Sequence, residues 1–383
     1  MKRAWVLVAL VLVISQLPLG ASAAPLDVGG KSALLMDVAT GTILYESNSH
    51  EQLAPASVTK VMTMLLIMEA IDSGKIGWDD MVTASEAAAA KGGSQIYLKV
   101  GETMTVTDML KSIAVSSAND CACAMAEHLA GSESDFVDRM NARAKELGMN
   151  DTNFVNCTGL DDDPEAVNHR TSAHDIALMS RELLKNHPDI KKFTTIWMDT
   201  VRNGEFGLSN TNKLIRFYNG ATGLKTGFTS GAGYCLSATA EREGMELIAV
   251  VMGCETSQQR TAACKAMLDY GFANFAVVSP DLTEQATEVP VKLGKTGTVN
   301  AILGADTGML IDKAQKNSIT TEVTLEESVT APVSQGQRLG TMTIKAGEQV
   351  LSEVPLVANA DVERLTWGDL FVMVLKRTAM AKE

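Results

Sequence analysis

Ser57 and Lys60 stand three residues apart at the head of an apolar run, Val61-Met62-Thr63-Met64-Leu65-Leu66-Ile67-Met68. A run of that length, rich in helix formers, predicts a buried helix rather than a strand. Pro55 suits a first helical turn, so Ser57 should lie near the helix N-terminus with Lys60 one turn along the same face. A serine hydroxyl becomes a good nucleophile when a neighbouring base takes its proton. A lysine amine is such a base once burial or a nearby cation keeps it neutral, and the apolar helix supplies the burial. The free N–H groups and positive dipole at the helix start favour a developing oxyanion. The chemistry in view is therefore covalent catalysis through an acylated serine. Taken alone, the pair also fits a capping serine followed by a solvated lysine.

The elements that must position this pair follow from the flanking patterns. Residues 31–47 read as two strands joined at Ala39-Thr40-Gly41, leading into the Ser57 helix, which Gly74 and Gly77 close. Thr105 or Asp108 caps a helix that ends near Val115, and the turn 116–120 separates it from a helix over 121–129, broken at Gly131. Residues 133–147 and 171–184 have helical spacing and flank a polar, turn-rich loop. Residues 220–227 form a glycine-punctuated lead into a strand over 233–240, which a turn at 242–245 joins to a strand over 246–252. A helix over 257–275 completes a mixed α/β unit. Beyond it, from 276 to 360, composition shifts to short alternating runs rich in Val, Thr, Ile and Gly, predicting a small β domain that begins near Ser279-Pro280-Asp281. The tail, 361–383, reads as one amphipathic helix with Trp367, Leu370, Phe371 and Val374 on one face and Lys376, Arg377 and Lys382 near its end. Such a helix lies in a membrane surface or docks on its own domain.

Composition narrows the function. The 383 residues carry a formal charge of −13 with no basic run, which argues against a nucleic-acid partner. Lys2 and Arg3, the apolar stretch 4–14 and Ala21-Ser22-Ala23 form an export signal over 1–23, so the mature chain should start near Ala24, outside the cytoplasmic membrane. The six cysteines (Cys121, Cys123, Cys157, Cys235, Cys254, Cys264) include no Cys-x-x-Cys, and read as buried thiols rather than a disulfide framework. The five histidines show no metal-ligand spacing, and no metal or cofactor is expected.

Ser57-x-x-Lys60, Ser117-x-Asn119 and Lys225-Thr226-Gly227 follow in that order, at a helix start, an interhelical turn and a strand. The trio resembles the signature of serine β-lactamases and penicillin-binding proteins. Pro55-Ala56-Ser57-x-Thr59-Lys60, Gly92-Gly93-Ser94, Leu98 with Gly101-Glu102, Asn156 to Leu160, His169-x-Thr171-Ser172-Ala173-x-Asp175, and Thr229 with Ala232-Gly233 narrow the likeness. Over residues 28–275 the chain resembles the exported D-alanyl-D-alanine carboxypeptidases, the low-molecular-mass penicillin-binding proteins, sporulation-type members included. The later β region and tail are similar to that family's layout.

The resemblance implies an α/β (α+β) catalytic domain of the serine β-lactamase/penicillin-binding-protein type over 24–278, an all-β domain over 279–360 and an amphipathic helix over 361–383. It implies a serine-type carboxypeptidase that removes the terminal D-alanine from a peptidoglycan stem pentapeptide through an acyl-enzyme on Ser57, with β-lactams as covalent inhibitors. In that scheme Lys60 is the general base and Ser117 relays a proton to the leaving D-alanine. Asn119 holds the peptide amide and Lys60. Lys225 adds positive charge that helps keep Lys60 neutral and attracts the terminal carboxylate, which Thr226, Thr229 and Arg260 hydrogen-bond. Gly227 lets substrate backbone approach the strand, and the N–H groups of Ser57 and Phe228 form the oxyanion hole. The middle motif carries Ala118 where Gly is commoner, a small change. Lys295-Thr296-Gly297 repeats the third motif within the β region, without its glycine-rich approach, and reads as a strand turn.

Three rivals stand beside this reading. A serine β-lactamase is suggested by Glu165-Ala-Val-Asn168, although the spacing is one residue short of that family's deacylating loop. A D,D-endopeptidase would use the same residues on cross-linked peptides. A catalytically silent wall-binding protein would have no need of Ser57, Lys60, Ser117 and Lys225 together.

Overall fold

Met245–Cys254 is apolar almost throughout because it lies at the centre of a five-stranded sheet and is covered on both faces. The computed structural model describes residues 26, 28–162, 164–282, 287–305 and 307–380, with side chains described as far as 375. The expected export segment, Lys382, and the side chains of Lys376 and Arg377 fall outside the described residues.

The sheet order is Ile43–Ser47, Ser32–Asp37, Met245–Cys254, Gly233–Arg242, Ala221–Thr229, every neighbour antiparallel. The first hairpin of the chain thus pairs with its last catalytic-region strands and leaves Ala221–Thr229 as an edge. This edge strand is longer than the glycine pattern suggested: the stretch expected to lead into a strand is itself a strand, because pairing with Gly233–Arg242 outweighs the low strand preference of Gly223 and Gly227.

Helix Ser257–Asn274 covers one face, packing Cys264, Met267 and Leu268 against Leu35, Leu247 and Val251. Each such aliphatic side chain taken from water contributes roughly 1.5–3 kcal/mol. The other face carries helices Lys60–Asp72 and Ala173–Asn186 in a larger core. The first of these is buried nearly all round, as its sequence predicts. Around it stand Val106–Ser116, Asn119–Ala130 and Glu133–Glu146. Thr105 Oγ1 accepts from Asp108 N at 3.1 Å, the cap expected there. All six cysteines are free and buried.

The later strands form a second sheet, Ile319–Leu325, Arg338–Ala346, Gln349–Ala358, Thr298–Leu303, Glu288–Lys292, Val329–Thr330, with its own apolar cluster. It joins the first unit through Phe275–Val278, which pairs with Met309–Asp312, and through Lys313 Nζ, which donates to the Phe272 carbonyl at 2.9 Å. Lys295-Thr296-Gly297 is the turn between Glu288–Lys292 and Thr298–Leu303, with Lys295 ion-paired to Glu363.

Among the described residues the final helix runs Trp367–Met380, starting at 367 rather than 361. Val362 is buried and pairs with Val333, and Arg364 pairs with Gly294, so this part of the tail is held extended by the second sheet. Thr366 Oγ1 and Asp369 Oδ2 then start the helix with reciprocal hydrogen bonds. Trp367 is 89% exposed and Phe371 66%. Among the described residues, no helix is long and apolar enough to cross a membrane.

Candidate active site

Ser57 lies in a single 3-10 turn, Ala56–Thr59, that runs straight into the Lys60–Asp72 helix. The three-residue spacing brings Lys60 Nζ to 2.9 Å from Ser57 Oγ. Ser57 is half-buried, so its hydroxyl is within reach of a ligand, whereas Lys60 is fully buried. Lys60 Nζ also donates to the Thr158 carbonyl at 2.8 Å. Burial draws the Lys60 amine down to about 7, against smaller opposing effects of Cys157 and Asp120. The sequence reading gave Lys225 a share in keeping Lys60 neutral, but desolvation is the main force. The repulsion between the two amines falls on Lys225, which burial first, then Lys60 and Arg260, depress well below the usual lysine range.

The loop that offers the Thr158 carbonyl is folded by Asn156. Its Oδ1 accepts from Thr158 N at 3.1 Å and from Gly159 N at 2.7 Å, and its Nδ2 donates to the Leu160 carbonyl at 2.9 Å. A side chain at Gly159 would place its Cβ 1.8 Å from the Ala56 carbonyl oxygen, so the loop sits directly on the Ser57 turn.

Ser117 ends Val106–Ser116 in the left-handed conformation (φ 64°), and Asn119 opens the next helix. This tight reversal buries both side chains and aims them at one place. Asn119 Nδ2 donates to the Gly92 carbonyl at 2.7 Å, and its N–H to the Ser94 carbonyl at 2.7 Å. Asn119 is thus held by Gly92 where the sequence reading had given it Lys60. Asp120 accepts from the N–H groups of Ile96 and Leu98 and fixes the 92–98 loop. Among the described residues, Ser117 Oγ and Asn119 Oδ1 are buried with no hydrogen-bond partner. Leaving such atoms unpaired costs about 1–3 kcal/mol each, so a ligand or water that hydrogen-bonded them would recover that cost. A cavity of about 680 Å³ lies on the far side of these loops, lined by Gly92, Asn156 and Thr158 with Lys91, Glu133 and Asp162, and none of Ser57, Lys60, Ser117, Asn119 or Lys225 lines it.

The third motif lies on the edge strand. Lys225 is buried and donates to the Thr226 carbonyl at 3.0 Å, and Thr226 Oγ1 donates to Thr211 Oγ1 at 2.6 Å. Gly227 has a different use from the one expected: a Cβ there would stand 2.6 Å from the Pro55 carbonyl oxygen and 3.1 Å from Ser57 N. Its missing side chain lets the strand close on the Ser57 turn. Phe228 is half exposed and stacks on Tyr234 with centroids 4.2 Å apart.

Two expected carboxylate ligands also hold main-chain groups. Thr229 Oγ1 accepts from Ala232 N at 3.1 Å, tightening the turn at the end of the strand. Arg260 reaches from the helix behind the sheet and donates from Nη1 to the Gly227 carbonyl at 2.9 Å and the Cys235 carbonyl at 3.3 Å. It thus supports the main chain under Gly227, while among the described residues its buried Nε has no hydrogen-bond partner. The sequence reading did not single out Thr158, which acts through its carbonyl, Thr211, which acts through its hydroxyl, or Gly159, which acts through packing.

Ser57, Lys60, Ser117, Asn119 and the Lys225 strand therefore come from three elements far apart in sequence. A nucleophile beside a depressed amine, with an edge strand closed on its turn, is equipped to acylate itself on a carbonyl substrate.

Comparison with known proteins agrees with this chemistry. Residues 20–256 match the D-alanyl-D-alanine carboxypeptidase family, and residues 276–364 match the C-terminal domain of penicillin-binding protein 5. The D-alanyl-D-alanine carboxypeptidase DacF of Bacillus subtilis is 44% identical over 91% of this chain and 88% of its own length. Penicillin-binding protein 5 of Haemophilus influenzae superposes with a TM-score of 0.72 at 30% identity, covering 89% of this chain and all of its own. Penicillin-binding protein D2 of Listeria monocytogenes, solved in its ampicillin-bound form, superposes with a TM-score of 0.58 at 32% identity, covering 64% of this chain and 98% of its own. With the Lys225 strand closed on the Ser57 turn, the match over most of its length means that the chain belongs to the D-alanyl-D-alanine carboxypeptidase family.

Proposed function

We infer that this protein is a serine-type D-alanyl-D-alanine carboxypeptidase that cleaves the terminal D-alanine from a peptidoglycan stem peptide through an acyl-enzyme on Ser57. The observation that carries the reading is the 2.9 Å separation of Ser57 Oγ from a buried Lys60 amine whose pKa lies near 7. Neutral Lys60 takes the Ser57 proton as Oγ attacks the penultimate D-alanine carbonyl. The N–H groups of Ser57 and Phe228 receive the oxyanion. Ser117 passes the proton to the leaving D-alanine nitrogen as the peptide bond breaks. Asn119 Oδ1 accepts from the substrate amide, while Lys225 and Thr226 draw the terminal carboxylate. Water then attacks the ester, Lys60 takes its proton, and Ser57 is released. A β-lactam would follow the same first step, its ring nitrogen in the leaving position.

The enzyme works outside the cytoplasmic membrane, carried there by the 1–23 signal. The assignment of 24–278 to catalysis, 279–360 to an all-β domain and the tail helix from Trp367 onward to membrane contact completes this reading. The exposed Trp367 and Phe371 support the last part.

Intact-mass analysis after penicillin exposure tests the assignment. Wild type should gain one persistent drug mass and Ser57→Ala none, with D-alanine release lost in parallel. A rapidly lost adduct would mean a β-lactamase. Release of cross-linked dimers without release of terminal D-alanine would mean an endopeptidase.

A further inference from the structure

The residue before the nucleophile is an alanine in a glycine's conformation. Ala56 has φ +49° and is buried. A left-handed alanine costs roughly 1–2 kcal/mol and persists only where neighbours enforce it. Here the enforcing contact is a file of hydrogen bonds that starts far away in sequence. Val155 N–H donates to His169 Nδ1 at 3.1 Å. His169 Nε2 lies 2.8 Å from Thr59 Oγ1, and Thr59 Oγ1 donates to the Ala56 carbonyl at 2.8 Å.

Every role in this file is fixed. A backbone N–H can only donate, so Nδ1 carries no proton and the neutral ring carries it on Nε2. Nε2–H must then donate to Thr59, whose own proton goes to the Ala56 carbonyl, which can only accept. Burial, with the charges of Arg170 and Lys60, takes the His169 pKa down to about 4, so the ring stays neutral at physiological pH. The carbonyl held at the end of the file is the one on which Gly159 closes, next to the Thr158 carbonyl that receives Lys60.

We propose that His169 is a positioning residue for acylation, acting through the Thr59 hydroxyl to hold Ala56 left-handed and so aim Ser57 at Lys60. The proposal rests on Ser57 being the acylated residue. It gives His169 no contact with substrate and no part in proton transfer.

The test uses full-length protein and the saturation kinetics of acylation by a fluorescent penicillin, with thermal melting as the check on folding. His169→Leu and Thr59→Val should each lower the limiting acylation rate about 10- to 100-fold, the cost of a misaimed nucleophile. Half-saturating drug concentration should stay within about threefold, since ground-state contacts are untouched. Thr59→Ser keeps the hydroxyl and should keep most of the rate. The double variant should lose no more than the worse single variant, because both cut one file. Thr59→Val preserves volume and carries the test if His169→Leu fails to fold. Acylation by Thr59→Val within about twofold of wild type, or losses that multiply in the double variant, would overturn the proposal. Drug uptake by Ser57→Ala would overturn the nucleophile assignment instead, so the two failures are distinguishable.

Discussion

In the proposed mechanism the Lys60 amine sets the working range of the enzyme. Its pKa near 7 lies below the ordinary lysine value of 10.5 because burial disfavours the ammonium. Acylation needs the neutral amine, so the second-order rate with penicillin should fall about tenfold per pH unit below 7 and level off above it. Stopped-flow acylation from pH 5 to 9 checks this, and a flat profile would remove Lys60 as base. Much of this chemistry was legible in the sequence. Serine, lysine and the apolar run predict both the 2.9 Å contact and its burial. Cationic and hydroxyl side chains near the third motif fit a carboxylate on residue type alone, which is why the sequence points to Arg260 and Thr229. That they bind the Gly227 carbonyl and Ala232 N–H depends on how a helix and a turn approach the strand.

At the scale of elements, the site exists because the edge strand touches the nucleophile turn. Gly227→Ala should place a methyl against the Pro55 carbonyl and Ser57 N and force the two apart. Acylation and D-alanine release should both drop about 100-fold, while melting temperature, set mainly by the two large cores, falls by only a few degrees. Full activity in this variant would mean that the strand moves freely against the turn. Helix caps such as Thr105 were readable because they are local. The support of Thr158 by Asn156 was not, since its target is a lysine 98 residues away in the chain and the contact is a backbone carbonyl with no residue signature. The tail was half readable for a similar reason. Its amphipathic stripe is local, but Val362 and Arg364 are claimed by strand partners at Val333 and Gly294.

Across the whole molecule, catalysis and the apolar end are separate. The site lies in the first unit, whereas Trp367–Met380 follows the second sheet and carries exposed Trp367, Phe371 and Leu375. Truncation after Thr366 should abolish co-sedimentation with phospholipid vesicles and leave D-alanine release from a soluble peptide within about twofold. Equal sedimentation of the two forms would assign this face to protein contact.

The free, buried cysteines have one further consequence. Each thiol is shielded by packing alone, so it meets a water-soluble alkylating reagent only when its own part of the core opens. Cys121, Cys123 and Cys157 lie in one apolar cluster and Cys254 and Cys264 in the other. The first unit therefore carries a built-in clock for each face of its sheet, and mass spectrometry of timed labelling would show which face comes apart first.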